Sequence, residues 1–396
     1  SYKLFEGDLM LVKDKLTKVN VTTTNIVTDK DVKKVKTVVE NQLYYYNLPS
    51  KFYDDDLSLF DVQYIKDEHI VLYIFVNKEG DKIYYKTKDD IYYYYTKIGD
   101  PLDTETILPA KQVKRHLHFY DVDKEEKRNC TFFEHDIRIE LKHVIDYRLR
   151  RKKEEVPFKL KIQYMDIEVF NNGDLEFPRP EVANKPINAI SFKNGVGKVN
   201  IFIAKYSQMD TSLIKERDDV NIKIFNTERE LLLGYCDEIA KYDPHIITAW
   251  YGLGFDLPYI CNRMKKNGVD INLLSPIKKV SFNPERYAGN YIYGLHFLDL
   301  LEVYKSFTYN QESSYKLGAI ARKELGKDKI AYDGTLDNIY INDINKFIEY
   351  SYVDTELLFE LEQKLRFIEL LYEMIRVCSS TWNSSGTTMG LIDPLV

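Results

Sequence analysis

The amino-acid sequence predicts a β-rich α+β domain followed by an α/β domain in which helices flank a mixed sheet. The chain has 396 residues, which is enough for two hydrophobic cores. Residues 1–155 are rich in strand patterns, whereas from Pro157 onward strand patterns alternate with helical ones. We therefore expect domains over 1–155 and 156–378, followed by a short segment at 379–396.

The first domain contains one clear hairpin pattern. Residues 69–88, HIVLYIFVNKEGDKIYYKTK, place a glycine-containing turn between two apolar runs. The tyrosine runs at 44–46 and 92–95 suit strands or core packing, and stacking on nucleic acid is the alternative. The charged stretch at 148–155, RLRRKKEE, is interpreted as a solvated linker at the domain boundary, with a DNA contact as the alternative.

The strand that opens the second domain carries two carboxylates. Residues 158–170, FKLKIQYMDIEVF, are rich in β-branched and aromatic side chains, which favours a strand. Side chains two apart on a strand share a face, so Asp166 and Glu168 lie side by side on an apolar, buried element. Like charges this close repel, and a divalent cation with oxygen ligands relieves the repulsion. The alternative is an exposed edge of an ordinary strand.

The next segments complete the predicted sheet. INAISF and VNIFIAKY flank NGVGK as a hairpin, and IKIF leads into a helix over 228–242. Thr227 opens this helix with Glu230 in capping-box spacing. The helix then feeds an apolar strand at 245–250, HIITAW. This order of elements predicts a mixed sheet with helices beside it.

A third carboxylate lies where that strand gives way to a helix. Pro258 suits the first helical turn and Gly268 suits the stop, which places Asp256 at the helix N-terminus. The helix dipole favours a carboxylate there, where it can face a cleft at the strand ends. The alternative is a plain N-cap aspartate.

A long amphipathic helix near the end of the chain carries a fourth carboxylate. Apolar residues at 347, 350, 353, 357, 358, 361 and 365 predict this helix, and Asp343 is expected to open it. Tyr350 and Asp354 are four apart, so the phenol and the carboxylate share one helix face. The alternative is a core tyrosine beside a surface acid.

Composition narrows the class of protein. The chain lacks an apolar run of about 18 residues and an N-terminal signal pattern, so we expect no transmembrane helix. Four scattered cysteines without a C-x-x-C pair indicate free thiols in a reducing compartment. The net charge of −6 is unusual for a nucleic-acid binder, but a carboxylate-rich metal site accounts for part of it. The 32 tyrosines and 56 Lys and Arg residues leave material for stacking and phosphate contact.

The ordered motifs resemble the proofreading 3′→5′ exonuclease of family B DNA polymerases. D-x-E on a strand, F-D at a strand-to-helix turn and Y-x-x-x-D on a late helix occur in that family's order. TAWYGLGFDLPYI, at 248–260, is similar to its second exonuclease motif, most of all as it reads in T-even phage polymerases. Further similar segments are LHFLDLLEVYKSF, KIAYDGTLDNIY and FFEHDIRIELKHVIDYRL. The resemblance covers roughly residues 130–390, and it implies a ribonuclease-H-like exonuclease domain after the family's N-terminal domain.

The resemblance also implies the chemistry. Family members hold two Mg²⁺ ions, for which Mn²⁺ substitutes. By this resemblance Asp166 bridges both metals, Glu168 and Asp354 complete the nucleophile-side metal, and Asp256 holds the second. Tyr350 would orient the attacking water through its hydroxyl.

The implied substrate is a single-stranded or frayed 3′ end of primer–template DNA. Tyr251 stands where the family usually has an asparagine that helps to bind the primer terminus. The stretch 278–297 is expected to form a β-hairpin that meets phosphate, with a solvated surface hairpin as the alternative. Asp299 is interpreted as a supporting acid, with a direct place in the site as the alternative. The candidate substrate-binding residues are Phe255, Tyr251, Ile167, Lys278, Lys279 and Arg286.

The family's polymerase motifs, D-x-x-S-L-Y-P and D-T-D, do not occur in this sequence. Residues 379–396 resemble the approach to a palm domain, so we expect either a shortened chain or a polymerase split between two chains. The expected partners are DNA and a domain with palm, fingers and thumb, with a sliding clamp as a further candidate. The expected location is the cytoplasm, that of a bacterial host if a phage encodes the protein. An RNA-trimming exonuclease and a non-catalytic replisome module remain alternatives.

Overall fold

The computed structural model describes residues 9–11, 48–53, 56–88, 94–97, 112–115, 124–133, 137–151, 154–174, 176–206, 209–283, 291–308 and 311–384. They form two compact units, one within 1–158 and 374–396 and the other within 159–373. The tyrosine run at 44–46 lies outside the described residues. Within the described ranges, no helix is long and apolar enough to cross a membrane.

The first unit is rich in β-structure. Its four-stranded antiparallel sheet has the order β1-β4-β3-β2, and a second sheet has the order β6-β5-β7. The predicted hairpin at 69–88 is confirmed as β3 and β4, with Gly80 at φ 81° in the turn. The elements are β1 (Leu9–Leu11), β2 (Leu57–Ile65), β3 (Ile70–Asn77), β4 (Lys82–Lys88), β5 (Tyr94–Lys97), β6 (Gln112–Arg115), β7 (Phe132–Phe133), α1 (Lys124–Asn129), α2 (Ile139–Arg150) and two short 3-10 helices (Ser50–Tyr53, Trp382–Ser384).

The charged stretch after α2 is packed more than the sequence indicates. Glu155 is only 8% exposed, and it accepts hydrogen bonds from the Leu59 backbone at 3.1 Å and from Arg148 at 2.8 Å. Arg151 donates to the Tyr147 hydroxyl at 2.7 Å. The expectation of a solvated linker is therefore wrong for Arg148, Arg151 and Glu155, because each of them has a hydrogen-bond partner inside the unit.

The second unit has a six-stranded sheet of order β11-β10-β9-β8-β12-β15. Strands β8, β12 and β15 run parallel to one another, β9 is antiparallel to β8 and β10, and β11 is parallel to β10. The elements are β8 (Ile162–Val169), β9 (Ile187–Asn194), β10 (Val199–Ala204), β11 (Val220–Phe225), β12 (Ile246–Ala249), β13 (Val280–Ser281), β14 (Tyr291–Ile292), β15 (His296–Asp299), α3 (Glu228–Tyr242), α4 (Asp256–Lys266), α5 (Leu300–Phe307), α6 (Leu317–Leu325), α7 (Leu336–Asn342), α8 (Ile344–Leu365), the first part of α9 (Phe367–Val377) and two 3-10 helices (Thr211–Leu213, Ile271–Leu274).

Helices cover both faces of this sheet, which confirms the predicted fold class. One core joins the sheet to α3 and α4, with Leu231 and Leu257 among its buried residues. A second core on the other face joins it to α7 and α8, with Tyr340 and Phe347. Strand β8 begins at Ile162, later than the predicted 158, because the neighbouring strands β12 and β9 offer pairing partners only from that point.

The predicted hairpin between the second and third motifs exists in short form. Strands β13 and β14 pair antiparallel, with Val280 opposite Ile292. Residues 284–290 lie outside the described residues, and Arg286 is among them.

Candidate metal centre

Strand β8 directs its two carboxylates to one face of the sheet. Met165, Ile167 and Val169 belong to the core shared with α3 and α4. Because side chains alternate along a strand, Asp166 and Glu168 point to the opposite face, where α8 packs. The local sequence thus buries the carboxylate-bearing strand on one side and leaves the acids facing a helix on the other.

Helix α8 brings Asp354 to these acids. Asp343 caps the helix by accepting from the Lys346 backbone at 3.1 Å, as the sequence predicts. A buried hydrogen bond of 2.7 Å between Thr355 Oγ1 and Ser191 Oγ then fixes the helix against β9. Asp354, next to Thr355, is held facing β8.

Three carboxylates meet at this point. One oxygen each of Asp166, Glu168 and Asp354 lie within 4.8 Å of one another. Asp354 is 2% exposed and Glu168 is 9% exposed, while Asp166 is partly buried. In the described part of the chain, this is the one group of three or more His, Cys, Asp or Glu side chains arranged to hold a metal ion.

Burial raises the pKa of each of these carboxyls, and for Glu168 and Asp166 repulsion from neighbouring acids raises it further. For Glu168, burial is the largest cause and the charges of Asp166 and Asp354 add to it. For Asp166, burial raises the pKa first and Asp354 second. Burial also raises the pKa of Asp354, against an opposing ammonium. Carboxylates that repel in this way are stabilised by a cation.

Asp256 lies beside the cluster at the first residue of α4. The helix begins at the predicted position, and the side chain is 3% exposed. Its Oδ1 accepts a 3.2 Å hydrogen bond from the backbone of Ile167, between the two strand acids. Burial raises the pKa of Asp256, and the neighbouring Asp166 charge raises it further. The structure thus brings three of the four predicted acids together and places Asp256 next to them.

Lys329, which the sequence motifs do not predict as a site residue, lies among these acids. Lys329 Nζ is 2.6 Å from Asp354 Oδ2 and 3.4 Å from the Tyr350 hydroxyl. Burial alone would lower the pKa of Lys329, but the Asp354 and Asp166 charges outweigh it and raise that pKa. The available signal was its position at the start of KIAYDGTLDNIY, the segment that resembles the loop before the third motif.

Tyr350 stands on the same face of α8 as Asp354, as its spacing predicts. Its ring packs edge-on against Tyr332, with 5.3 Å between centroids. Burial raises the pKa of Tyr350 well above its ordinary value, and the Glu168 and Asp354 charges add to the effect. The phenol is therefore neutral at physiological pH and acts as a hydrogen-bonding group.

The residues present fit a divalent metal. Every potential ligand is a carboxylate oxygen, which hard cations such as Mg²⁺ and Mn²⁺ prefer. Asp354 Oδ1 is buried and has no hydrogen-bond partner, so one ligand atom is left for a cation. Lys329 already contributes one positive charge to the same acids.

The turn before Asp256 is organised by Asp299. This carboxylate is 2% exposed, and it accepts backbone hydrogen bonds of 3.1 Å from Tyr251, Leu253 and Leu301. Tyr251 has φ 64°, and its ring lies over Gly254, where a Cβ atom would collide with it. The ring remains 48% exposed. Asp299 is thus a supporting acid, as interpreted from the sequence, and it orders the residues that lead to Asp256.

A pair of aromatic rings, one of them exposed, lies next to this turn. Phe255 is partly buried, and its ring centroid lies 5.4 Å from that of Phe177. Phe177 is 73% exposed, and the sequence reasoning did not single it out. The available signal was a large apolar residue between glutamate and proline in EFPRP, downstream of the D-x-E strand.

The remaining predicted substrate-binding residues are Ile167, Lys278, Lys279 and Arg286. Ile167 is 5% exposed with its side chain in the core, so its backbone is the part that faces the centre. Lys278 is exposed and lies near Cys236 of α3; burial raises the pKa of that thiol, and the Lys278 charge only partly opposes the rise. Lys279 is partly buried beside β13. Arg286 lies outside the described residues.

Residues 115–320 match the family model described as DNA polymerase family B, exonuclease domain. Tyr350 and Asp354 lie beyond the matched range. Among curated relatives, a DNA-directed DNA polymerase of Escherichia phage RB69 is 27% identical over 60% of this chain and 30% of its own length. That of Enterobacteria phage T4 is 28% identical over 54% of this chain and 27% of its own.

A eukaryotic relative matches as well. The DNA polymerase delta catalytic subunit of Plasmodium falciparum is 28% identical over 66% of this chain and 25% of its own length. The chain therefore spans less than a third of the length of these relatives.

Proposed function

Because the chain belongs to the family B DNA polymerases and carries their exonuclease domain, we propose that it removes mispaired nucleotides from DNA 3′ ends by metal-dependent hydrolysis. The observation that carries the proposal is the meeting of Asp166, Glu168 and Asp354 oxygens within 4.8 Å. The carboxylate of Asp256 lies beside them and accepts a hydrogen bond from the Ile167 backbone of the strand that carries Asp166 and Glu168.

The ligands of the proposed metals are the four acids. Two bound Mg²⁺ ions, or Mn²⁺ in their place, would supply an activated water and stabilise the leaving 3′-oxygen. By the resemblance to the family, Asp166 would serve both metals, and Glu168 and Asp354 would hold the one that serves the nucleophile. Asp256 is assigned to the second. Strand β8 and helices α4 and α8 keep these oxygens together before any metal binds.

Tyr350 and Lys329 are assigned to hydrogen bonding at the reacting end. The Tyr350 hydroxyl is neutral and lies beside Asp354, so it can donate a hydrogen bond to a water or accept one from it without taking a full charge. Lys329 donates to Asp354 Oδ2 and to the same hydroxyl, which fixes the orientation of both.

The proposed substrate is a single-stranded or frayed 3′ end. Acids buried this deeply are out of reach of a terminus that stays paired in a duplex. The exposed rings of Phe177 and Tyr251, next to Phe255, offer faces on which bases can stack. We also propose that Lys278, Lys279 and Arg286 contact phosphate groups of the DNA.

The relatives are named DNA-directed DNA polymerases, and we propose that DNA synthesis needs palm, fingers and thumb regions, in the same parent protein or in a separate chain. A sliding clamp is a further proposed partner. We assign 1–155 to the family's N-terminal domain, 156–378 to the exonuclease and 379–396 to the approach to the palm.

A 5′-labelled single-stranded oligonucleotide tests the proposal. In Mg²⁺ the protein should shorten it stepwise from the 3′ end, and EDTA should stop the reaction. An RNA oligonucleotide of the same sequence separates the alternatives, because preferential degradation of RNA would favour an RNA-trimming enzyme. Binding of DNA without metal-dependent cleavage would favour a non-catalytic module.

A further inference from the structure

Side chains on one face of α4 hydrogen-bond to the segment that links β8 to β9. Four side chains at 259, 262, 263 and 266 have the spacing of a single helix face. Each donates a hydrogen bond to a backbone carbonyl of residues 180–185, and we call these four side chains the α4 clamp. The bonds are Tyr259 Oη to Lys185 O at 2.8 Å, Asn262 Nδ2 to Pro180 O at 2.8 Å, Arg263 Nη1 to Ala183 O at 3.0 Å and Lys266 Nζ to Val182 O at 2.6 Å.

The far end of the segment is fixed by a buried charge. Glu228, 7% exposed at the start of α3, accepts from the Ile187 backbone at 2.8 Å and pairs with Arg263 of the clamp. Asn267 also donates to Glu228, at 2.9 Å. The segment therefore enters β9 at a defined point, and the clamp itself is anchored to α3.

The near end is fixed from α7. Asp337, 7% exposed, accepts from the backbone N–H groups of Asn171 at 3.1 Å and Gly173 at 3.0 Å. These residues follow the strand that carries Asp166 and Glu168. Both ends of the connection are thus held by buried carboxylates, and its returning half is held by α4.

Phe177 lies between these anchors, three residues before the first clamped carbonyl at Pro180. Its ring is 73% exposed, yet it stands beside Phe255, the residue immediately before Asp256. An exposed ring on a freely moving connection would sample many positions. The same helix that presents Asp256 at its first turn holds the backbone near Phe177 through its next two turns.

We propose that the α4 clamp positions Phe177 so that its ring, with Phe255, is already in place for the last bases of a single strand. We assign Asn262 and Lys266 as the positioning residues, because among the described residues each side chain has one hydrogen-bond partner, a carbonyl of this segment. Binding then does not have to order the connection, which lowers the cost of binding. This inference rests on the proposed nuclease function and adds residues that govern how the 3′ end is bound.

Three substitutions and a control test the clamp. Asn262→Asp keeps the shape but removes the donor to Pro180 O, Lys266→Met removes the donor to Val182 O, and Lys266→Arg restores one. Lys241→Met is the control, since Lys241 is an exposed lysine of α3 whose described partner is Glu238 three residues away. We expect Asn262→Asp and Lys266→Met each to raise KM for a short single strand roughly 3- to 10-fold, the range of one lost hydrogen bond, with kcat within twofold of wild type.

Lys266→Arg and Lys241→Met should retain the wild-type KM. A 3′-terminal 2-aminopurine, read in EDTA so that no hydrolysis occurs, should bind more weakly to the two clamp variants by the same factor. Thermal melting identifies a variant that fails to fold. If Asn262→Asp fails to fold, Lys266→Met, which changes an exposed side chain, still tests the clamp.

A double-mutant cycle with Phe177→Ala separates positioning from general support of the fold. If the clamp acts through Phe177, Asn262→Asp should change KM by less than twofold in the Phe177→Ala background. A full effect in that background, or a fall in kcat with unchanged KM, would overturn the inference. Wild-type protein that neither binds nor degrades the strand would refute the proposed function and this inference with it, whereas active wild type with unaffected clamp variants refutes the clamp alone.

Discussion

Lys329 Nζ lies 2.6 Å from Asp354 Oδ2, so a lysine from the loop before α7 supplies the positive charge that the metal-free acids lack. Asp354 is 2% exposed, and a carboxylate this buried is costly without a partner. The ammonium therefore stabilises the metal-free site. A bound metal would carry the same sign of charge to the same acids, so lysine and metal oppose each other electrostatically.

Replacing Lys329 should separate these two effects. Lys329→Met should lower the unfolding free energy of the metal-free protein by roughly 1–3 kcal/mol, because a buried carboxylate loses its donor. Added Mn²⁺ should then raise the melting temperature by more than it does for wild type, since metal binding stabilises the folded state by mass action. The control is Lys327→Met, which removes an exposed lysine paired with Glu360. Equal Mn²⁺ increments in all three proteins would show that Lys329 does not oppose the metal.

Tyr350 and Asp354 share a helix face, but replacing them should have different effects on metal binding and turnover. Asp354→Ala removes a metal ligand, so metal affinity and nearly all degradation of DNA should be lost. Tyr350→Phe removes only a hydroxyl, so metal affinity should stay while turnover falls by about 10²-fold. Titrating Mn²⁺ against both variants checks this. If Tyr350→Phe weakens metal binding as much as Asp354→Ala does, the phenol belongs to the metal scaffold.

Mispaired 3′ ends should be degraded faster than matched ones. The acids are buried, so a paired terminus must first open, and opening costs on the order of 1–2 kcal/mol per base-pair step. A mismatched or single-stranded end avoids most of that cost. Initial rates on matched and mismatched primers at moderate salt measure the difference, and equal rates would count against a frayed-end substrate.

A pH-dependent stability is expected from Asp61 in the first unit. Asp61 is 2% exposed and accepts hydrogen bonds from Gln63 at 3.0 Å and from the Trp382 backbone at 3.3 Å. Burial raises its pKa from 3.8 to about 7. The folded protein thus holds this proton more tightly than the unfolded chain, so its stability should fall as pH rises from about 4 to about 7.

Asp61→Asn should remove that dependence. The amide can still accept from Trp382, and it carries no charge to bury, so the variant should be more stable than wild type at pH 8, by up to roughly 4 kcal/mol. Urea unfolding at pH 5 and pH 8, followed by tryptophan fluorescence, measures this. Asp56→Asn, at an exposed position, is the control. An unchanged pH dependence in Asp61→Asn would assign the effect to another group.

Local patterns predicted the scaffold of the site. The α8 pattern and its Asp343 cap, the α3 helix with its Thr227 cap and the start of α4 at Asp256 are confirmed, because capping and apolar periodicity depend on neighbouring residues. The two-residue spacing of Asp166 and Glu168 likewise fixed their common face. The roles assigned to these acids, and the proposed DNA contacts, stay predictions.

Contacts between segments that are distant in the sequence are not predicted by any local pattern. Lys329 meets Asp354 across 25 positions of the sequence, and Asp299 holds the backbone at Tyr251 from 48 positions away. Neither pairing has a period or a fixed spacing, since each depends on how the sheet orders its strands. Phe177 was missed for a different reason: its importance lies in being exposed, and an isolated aromatic residue in a loop carries no burial pattern.

The most direct test of the carboxylate centre is the rate at which Asp166→Ala, alone or with Glu168→Ala, releases nucleotides from the 3′ end of single-stranded DNA in Mg²⁺. We predict a fall to background with an unchanged or raised melting temperature, because the change removes metal ligands and also relieves repulsion between buried acids. Degradation by a folded variant at near the wild-type rate would contradict the account and place the reaction elsewhere.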